Sequence, residues 1–266
     1  MNYRPEIDGL RTIAVFSVIF YHADFEIFSG GFVGVDVFFV ISGYLITNLI
    51  ISDISKGNFK LLDFYNKRIR RIFPVLFFVT FCCIPFSWMY MFTGELKNFS
   101  QSLVAVGAFA SNILFWQESS YFAASAEEKP LLHTWSLAVE EQFYLLFPIV
   151  LIMLAQNKRH LLIVCILLSI GSLGISNWLI KTDSVANFYL LPSRLWELLA
   201  GSVAAIILSS WSIKSNSFLS LTGLLCIIFS ISFIEHNTVF SSYYVFLPII
   251  GTMLIILFSA NSFTAK

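Results

Sequence analysis

Charge is what this chain is short of. Only 12% of its 266 residues are Asp, Glu, Lys or Arg, about half the share found in soluble domains. Sixteen basic residues balance sixteen acidic ones, so the total points to no nucleic acid and no other strongly charged partner. Cysteine is also sparse. Cys82, Cys83, Cys165 and Cys226 fall inside apolar runs with neither metal-ligand spacing nor a disulfide framework, and are expected to be small buried hydrophobes. No metal is expected. The opening MNYRPEIDGLR carries Glu6 and Asp8, and no small-residue cleavage site follows the next apolar run. It does not read as a signal peptide, so the first helix is expected to remain. No internal repeat is visible, which argues against an inverted-repeat transporter.

What fills the chain is apolar. Hydrophobic residues make up 58%, with 29 Phe, and the mean hydropathy is +0.81. Apolar segments run over 12–23, 32–51, 72–92, 99–116, 134–155, 161–180, 190–209, 217–234 and 244–260. In lipid every backbone polar group must be satisfied within the chain, so runs of this length predict an all-α polytopic transmembrane bundle. One membrane-embedded domain over residues 1–266 is expected.

Basic residues concentrate in cytoplasmic loops. The loop 52–71 carries six of them and is expected inside, with QNKRH (156–160) and Lys214; DFEIFSGG (24–31) and the acidic stretch ending in Glu127 and Glu128 are expected outside. An odd number of crossings must then separate Arg71 from Glu127. Segment 99–116 is the weakest, holding Ser100, Gln101, Ser102, Ser111 and Asn112. It is expected to be re-entrant or partial, leaving about eight spans and both termini inside.

Ionisable groups at membrane depth are costly and mark candidate sites. In RTIAVFSVIFYH, Arg11 and His22 lie on nearly one helix face, about 16 Å apart along the axis. His22 reads either as an interface residue or as a general base; Arg11 reads equally well as an inside anchor. GGFVGVDVFFVISGYLIT (30–47) places Asp36 inside an apolar run, where it needs a partner, with Arg11 and His22 as candidates. Its glycines Gly30, Gly31, Gly34 and Gly43 allow close backbone approach. KRIRR (67–71) is a topology signal or, through Arg68 and Arg71 at i, i+3, a phosphate site.

The densest constellation is LLHTWSLAVEEQFYLLFP (131–148). His133, Leu137, Glu140 and Tyr144 form one helical stripe with Glu141 beside it, either a structural network or a site. In SRLWELLAG (193–201), Arg194 and Glu197 can pair internally. His160 and His236 sit in loops and are expected to be solvated.

In this order, the motifs resemble the acyltransferase-3 family of integral membrane O-acyltransferases. YRPEIDGLR with Arg-x10-His, GVDVFFVISGYLI, RIRR before FP, HTWSLAVEEQFYLLFP and SRLWELLAG carry the likeness over residues 3–201. The resemblance implies transfer of an acyl group, most often acetyl, from cytoplasmic acyl-CoA to a hydroxyl of an extracytoplasmic cell-envelope carbohydrate such as lipopolysaccharide, peptidoglycan or capsule. It implies no permanently bound cofactor, with acetyl-CoA as co-substrate. His22 would be the catalytic base or a transient acyl acceptor, supported by Arg11. Arg68 and Arg71 would bind the CoA phosphates. Asp36, Glu140 and Glu141 would orient His22 or the acceptor. His133, Trp135, Ser136, Tyr144, Arg194 and Glu197 would form the acceptor or structural polar network.

The resemblance also implies a multi-pass protein of the bacterial cytoplasmic membrane, its N-terminus inside, with membrane lipids and a separate acyl-handling protein on the acceptor side as partners. Family members usually continue through a further segment, and some carry an SGNH-type domain. This chain stops at FSANSFTAK and is expected to be incomplete at its C-terminus. The rival readings are a lipid-linked saccharide carrier and an inactive truncated paralogue.

Overall fold

The computed structural model describes residues 4–119, 129–234 and 242–260. Glu127, Glu128, His236 and residues 261–266 lie outside the described residues. The described chain forms helices and no strand: α1 (Pro5–His22), α2 (Gly34–Ser55), α3 (Leu61–Tyr90), α4 (Thr93–Gly107), α5 (Ser111–Glu118), α6 (Thr134–Leu154), α7 (Lys158–Thr182), α8 (Ser184–Tyr189), α9 (Leu191–Ser210), α10 (Ser217–Phe233) and α11 (Ser242–Phe258). Two single 3-10 turns, Glu26–Phe28 and Gly31–Val33, join α1 to α2. This is an all-α polytopic membrane protein. Among the described residues, five stretches are long and apolar enough to cross a bilayer: Gly31–Ser55, Leu61–Tyr90, Thr134–Leu154, Lys158–Thr182 and Ser184–Ser210. Eight spans require α1, α10 and α11 as well, which have 18, 17 and 17 residues.

The centre of the bundle is the crossing of α2 and α9. A side chain on Gly43 would collide with the Leu198 backbone, and one on Gly201 with the Val40 backbone. Below that contact Thr47 donates to Ser202 at 2.9 Å. Small residues allow backbones to approach where lipid offers no hydrophobic drive to associate. α10 and α11 cross in the same way at Gly223 and Gly251.

Helix ends gather at two poles. At one, His22 meets His133, the Gly30 N–H donates to the Ile231 carbonyl at 2.9 Å, and Trp116 donates to Asp183 at 2.9 Å. At the other, Lys158 donates to the Ser209 carbonyl at 2.6 Å and the Asn216 N–H to the Phe258 carbonyl at 3.0 Å. Arg4 latches the start of α1 to this second pole. It donates to Glu6, to the Tyr44 hydroxyl and to the Ile256 carbonyl, each at 2.6 Å.

Two sequence expectations need correction, and the partial segment becomes specific. The basic stretch expected as loop is mostly helix: α3 starts at Leu61, so Arg68 and Arg71 lie in its second and third turns. Leu, Lys and Arg are good helix formers, and a 30-residue helix of about 45 Å outruns a bilayer core, so helicity continues after apolarity ends. Segment 99–116 is not one helix. It breaks at Ala108–Ala110, where Phe109 takes a left-handed φ of 52°. The freed polar groups are met by Gln142, which donates to the Phe109 carbonyl at 3.0 Å and to Asn112 Oδ1 at 2.8 Å. Neither α4 nor α5, at 15 and 8 residues, reaches the ~20 needed to span. Of the cysteines only Cys165 is buried; Cys82 is exposed and Cys83 and Cys226 are half-buried. α3 turns its apolar face, Phe77, Phe78 and Phe81 among it, away from the bundle, and in a bilayer that face meets lipid.

Candidate active site

α1 delivers Arg11 and His22 to the same side of the bundle at different depths. His22 is the last residue of α1 and exposed. Its Nδ1 lies 2.8 Å from the Val18 carbonyl. A carbonyl only accepts, so Nδ1 carries the proton and the Nε2 lone pair is left free. The ring meets that of His133 edge to face, centroids 4.6 Å apart. His133 caps the start of α6. Partial burial, and then the charge His22 can carry, push its pKa below the ordinary 6.5, so it stays neutral where free histidine titrates.

Below the histidines opens a cavity of about 700 Å³ that Arg11, Arg68, Arg71, Ser42, Glu140 and Tyr144 help to line. Three guanidiniums there face one carboxylate. Glu140 accepts from Ser42 Oγ at 2.7 Å, with the Tyr144 hydroxyl 3.5 Å from its other oxygen. The Arg68 guanidinium lies 4.3 Å from the Tyr144 ring centroid, an arrangement that orients a cation without neutralising it. Arg11 makes only a 3.5 Å pair with Asp8 one turn earlier. These arginines therefore remain available to an anion. Glu141 faces away, into a separate cavity of about 310 Å³ beside the α4–α5 break. One of its oxygens is buried with no hydrogen-bond partner among the described residues.

The structure pairs Asp36 with neither of the partners the sequence suggested. Arg194 on α9 bridges two buried carboxylates, donating to Asp36 at 2.8 Å and Glu197 at 2.7 Å. It also lies over the Trp135 and Phe188 rings. The predicted Arg194–Glu197 pair is present; its third member was invisible because it sits 158 positions away. Trp135 packs among Phe39, Phe188 and Tyr189, and Ser136 turns back to the His133 carbonyl at 3.1 Å. Among the described residues no carboxylate comes within ion-pairing distance of His22; its neighbour is another histidine. Ser42 and Arg4 were missed. Neither carries a signal in the sequence, since their partners lie 98 and up to 252 positions distant.

The arginine-lined cavity and the histidine pair draw together residues of the RTIAVFSVIFYH, RIRR and HTWSLAVEEQFYLLFP motifs. The family profile described as an acyltransferase domain matches residues 4–265. The chain is a member of the acyltransferase-3 family. Among its relatives, the O-acetyltransferase OatA of Staphylococcus aureus is 38% identical over 224 residues, covering 81% of this chain and 36% of the relative. The peptidoglycan O-acetyltransferase OatA of Listeria monocytogenes is 33% identical over 276 residues, covering 96% of this chain and 44% of the relative. The chain thus spans less than half the length of these acyltransferase-3 relatives. No solved structure matches it.

Proposed function

We propose that this chain is a membrane O-acyltransferase domain that takes an acetyl group from cytoplasmic acyl-CoA and delivers it to a hydroxyl of an extracytoplasmic cell-envelope glycan. The relatives' names favour peptidoglycan as the acceptor. The observation that carries the reading is the three-arginine cavity on the helix, α1, whose far end carries His22 against His133. Arg11, Arg68 and Arg71 offer forked donors suited to phosphate oxygens. The histidines lie about 16 Å along α1 from Arg11, a gap that calls for an extended donor arm such as pantetheine. The basic start of α3 gives that pole the character of a cytoplasmic face, which supports an N-terminus inside and the histidines outside.

In the transfer, the acceptor hydroxyl oxygen attacks the thioester carbonyl carbon while His22 Nε2 takes its proton. The C–S bond breaks, and the proton passes from His22 to the leaving thiolate. His133, held neutral, does not compete electrostatically with the imidazolium that forms transiently on His22. Glu140 and Ser42 order the wall of the arginine cavity, and Glu141 is a further polar group on the same helix.

Donor recognition is tested by equilibrium binding of acetyl-CoA to the purified chain in lipid nanodiscs. Arg71→Ala removes a charge-assisted phosphate contact and is expected to weaken binding by about tenfold, whereas Lys158→Ala, at the same pole outside the cavity, leaves it unchanged. Equal affinity for the parent and Arg71→Ala contradicts the assignment.

A further inference from the structure

A third cavity, of about 270 Å³, opens at the histidine pole between α4, the end of α5 and the approach to α6. Its floor is apolar, formed by the buried Phe99 and Leu131. Its wall is polar. Lys129 donates to Glu118 Oε2 at 2.6 Å, but Glu118 Oε1 is buried and has no hydrogen-bond partner among the described residues. A buried carboxylate oxygen left unpaired costs on the order of 1–3 kcal/mol or more, so a ligand that relieves it must donate a hydrogen bond. On the exposed rim the Asn98 amide can donate and accept. Glu95 commits one oxygen to the Phe92 N–H at 2.9 Å, which leaves the other free.

These features select the ligand class. Two carboxylates against one ammonium disfavour an anion, and the polar rim disfavours an acyl chain. A ring with an apolar C–H face and a belt of hydroxyl donors fits both surfaces. The volume lies just under the ~300–1,000 Å³ of ordinary small-molecule sites, enough for one such ring with its neighbours left outside. Leu131, on the floor, precedes His133 by two residues, at most about 7 Å of backbone. His133 in turn touches His22.

We infer that this cleft is the acceptor subsite, seating one pyranose unit of a glycan so that a hydroxyl of the chain reaches His22. The assignment rests on the acyl-transfer reading above. Glu118 accepts from a sugar hydroxyl, Asn98 grips the ring edge, and Phe99 with Leu131 supports its C–H face.

The test measures two affinities separately on the full chain in nanodiscs, for a soluble β-1,4-linked N-acetylglucosamine tetrasaccharide and for acetyl-CoA. Asn98→Trp, which fills the cleft from its exposed rim, and Glu118→Gln are each expected to weaken glycan binding about tenfold or more. Acetyl-CoA affinity should stay within about twofold of the parent, because the arginine cavity is untouched. Unchanged glycan affinity in both variants, or no glycan binding by the parent, overturns the subsite. Variant-sensitive glycan binding by a parent that does not bind acetyl-CoA contradicts the donor reading instead and leaves the subsite standing.

Discussion

His22 is useful as a base only while its Nε2 lone pair is free, and the Val18 carbonyl secures that by fixing the proton on Nδ1. In many base–orienter pairs a carboxylate does this and also stabilises the imidazolium. Here, among the described residues, a backbone carbonyl and a second histidine take its place and orient the ring. His133 has its own consequence for stability. Its folded-state pKa lies below the ordinary 6.5, through burial first and His22 second. The unfolded chain therefore binds that proton more readily, and the contribution of His133 to stability is present above pH 6.5 and lost as pH falls below it. Thermal unfolding in detergent between pH 8 and 5 should show a shallower acid-side decline for His133→Gln than for the parent; identical slopes contradict this. At this scale much was legible. Polar residues in apolar runs announce themselves, so Arg11, His22, Glu140 and the two loop arginines could all be named. Partnership was not legible: Asp36 finds Arg194 on a helix far along the chain, and no spacing rule reaches that distance.

Among the elements, α2 and α9 set the frame and α3 is the outlier. The α2–α9 crossing holds Asp36 against Arg194 and leaves Ser42 facing Glu140. A Cβ on Gly201 would strike the Val40 backbone, which cannot yield like a flexible side chain. Gly171 and Gly174 on α7 meet nothing within 4 Å. Gly201→Ala should therefore cost at least the ~1–3 kcal/mol of overpacking, while Gly171→Ala should be neutral or stabilise by up to ~1 kcal/mol. Thermal stability of the two purified variants decides the point, and equal losses would falsify the close-packed crossing. Gly34 and Gly43 in GVDVFFVISGYLI could be read as close-approach positions, though not which helix each would meet, and nothing in SRLWELLAG singles out Gly201. Helix starts were harder. A hydropathy window sees where lipid contact begins, not where the backbone turns helical, so hydropathy marks the first turns of α3 as loop and starts the first apolar segment only at residue 12.

For the whole molecule, one arrangement accounts for both poles. Cationic groups collect where α1, α3 and α7 begin, histidines and the polar cleft where α1 ends and α6 begins, and α1, which carries both Arg11 and His22, joins them. The architecture was legible because lipid permits few solutions: long apolar runs must be helices, and alternating them fixes which ends meet. Segment 99–116 is legible as re-entrant or partial, but not its break into α4 and α5, because the Gln142 contacts to Phe109 and Asn112 at that break are not encoded in hydropathy. The most direct measurement uses inside-out membrane vesicles supplied with labelled acetyl-CoA, comparing the parent with His22→Ala after matching protein levels. Label is expected in the envelope glycan on the opposite side for the parent, reduced by about 10²–10⁴-fold in His22→Ala with acetyl-CoA binding retained. Equal labelling by both proteins would contradict it.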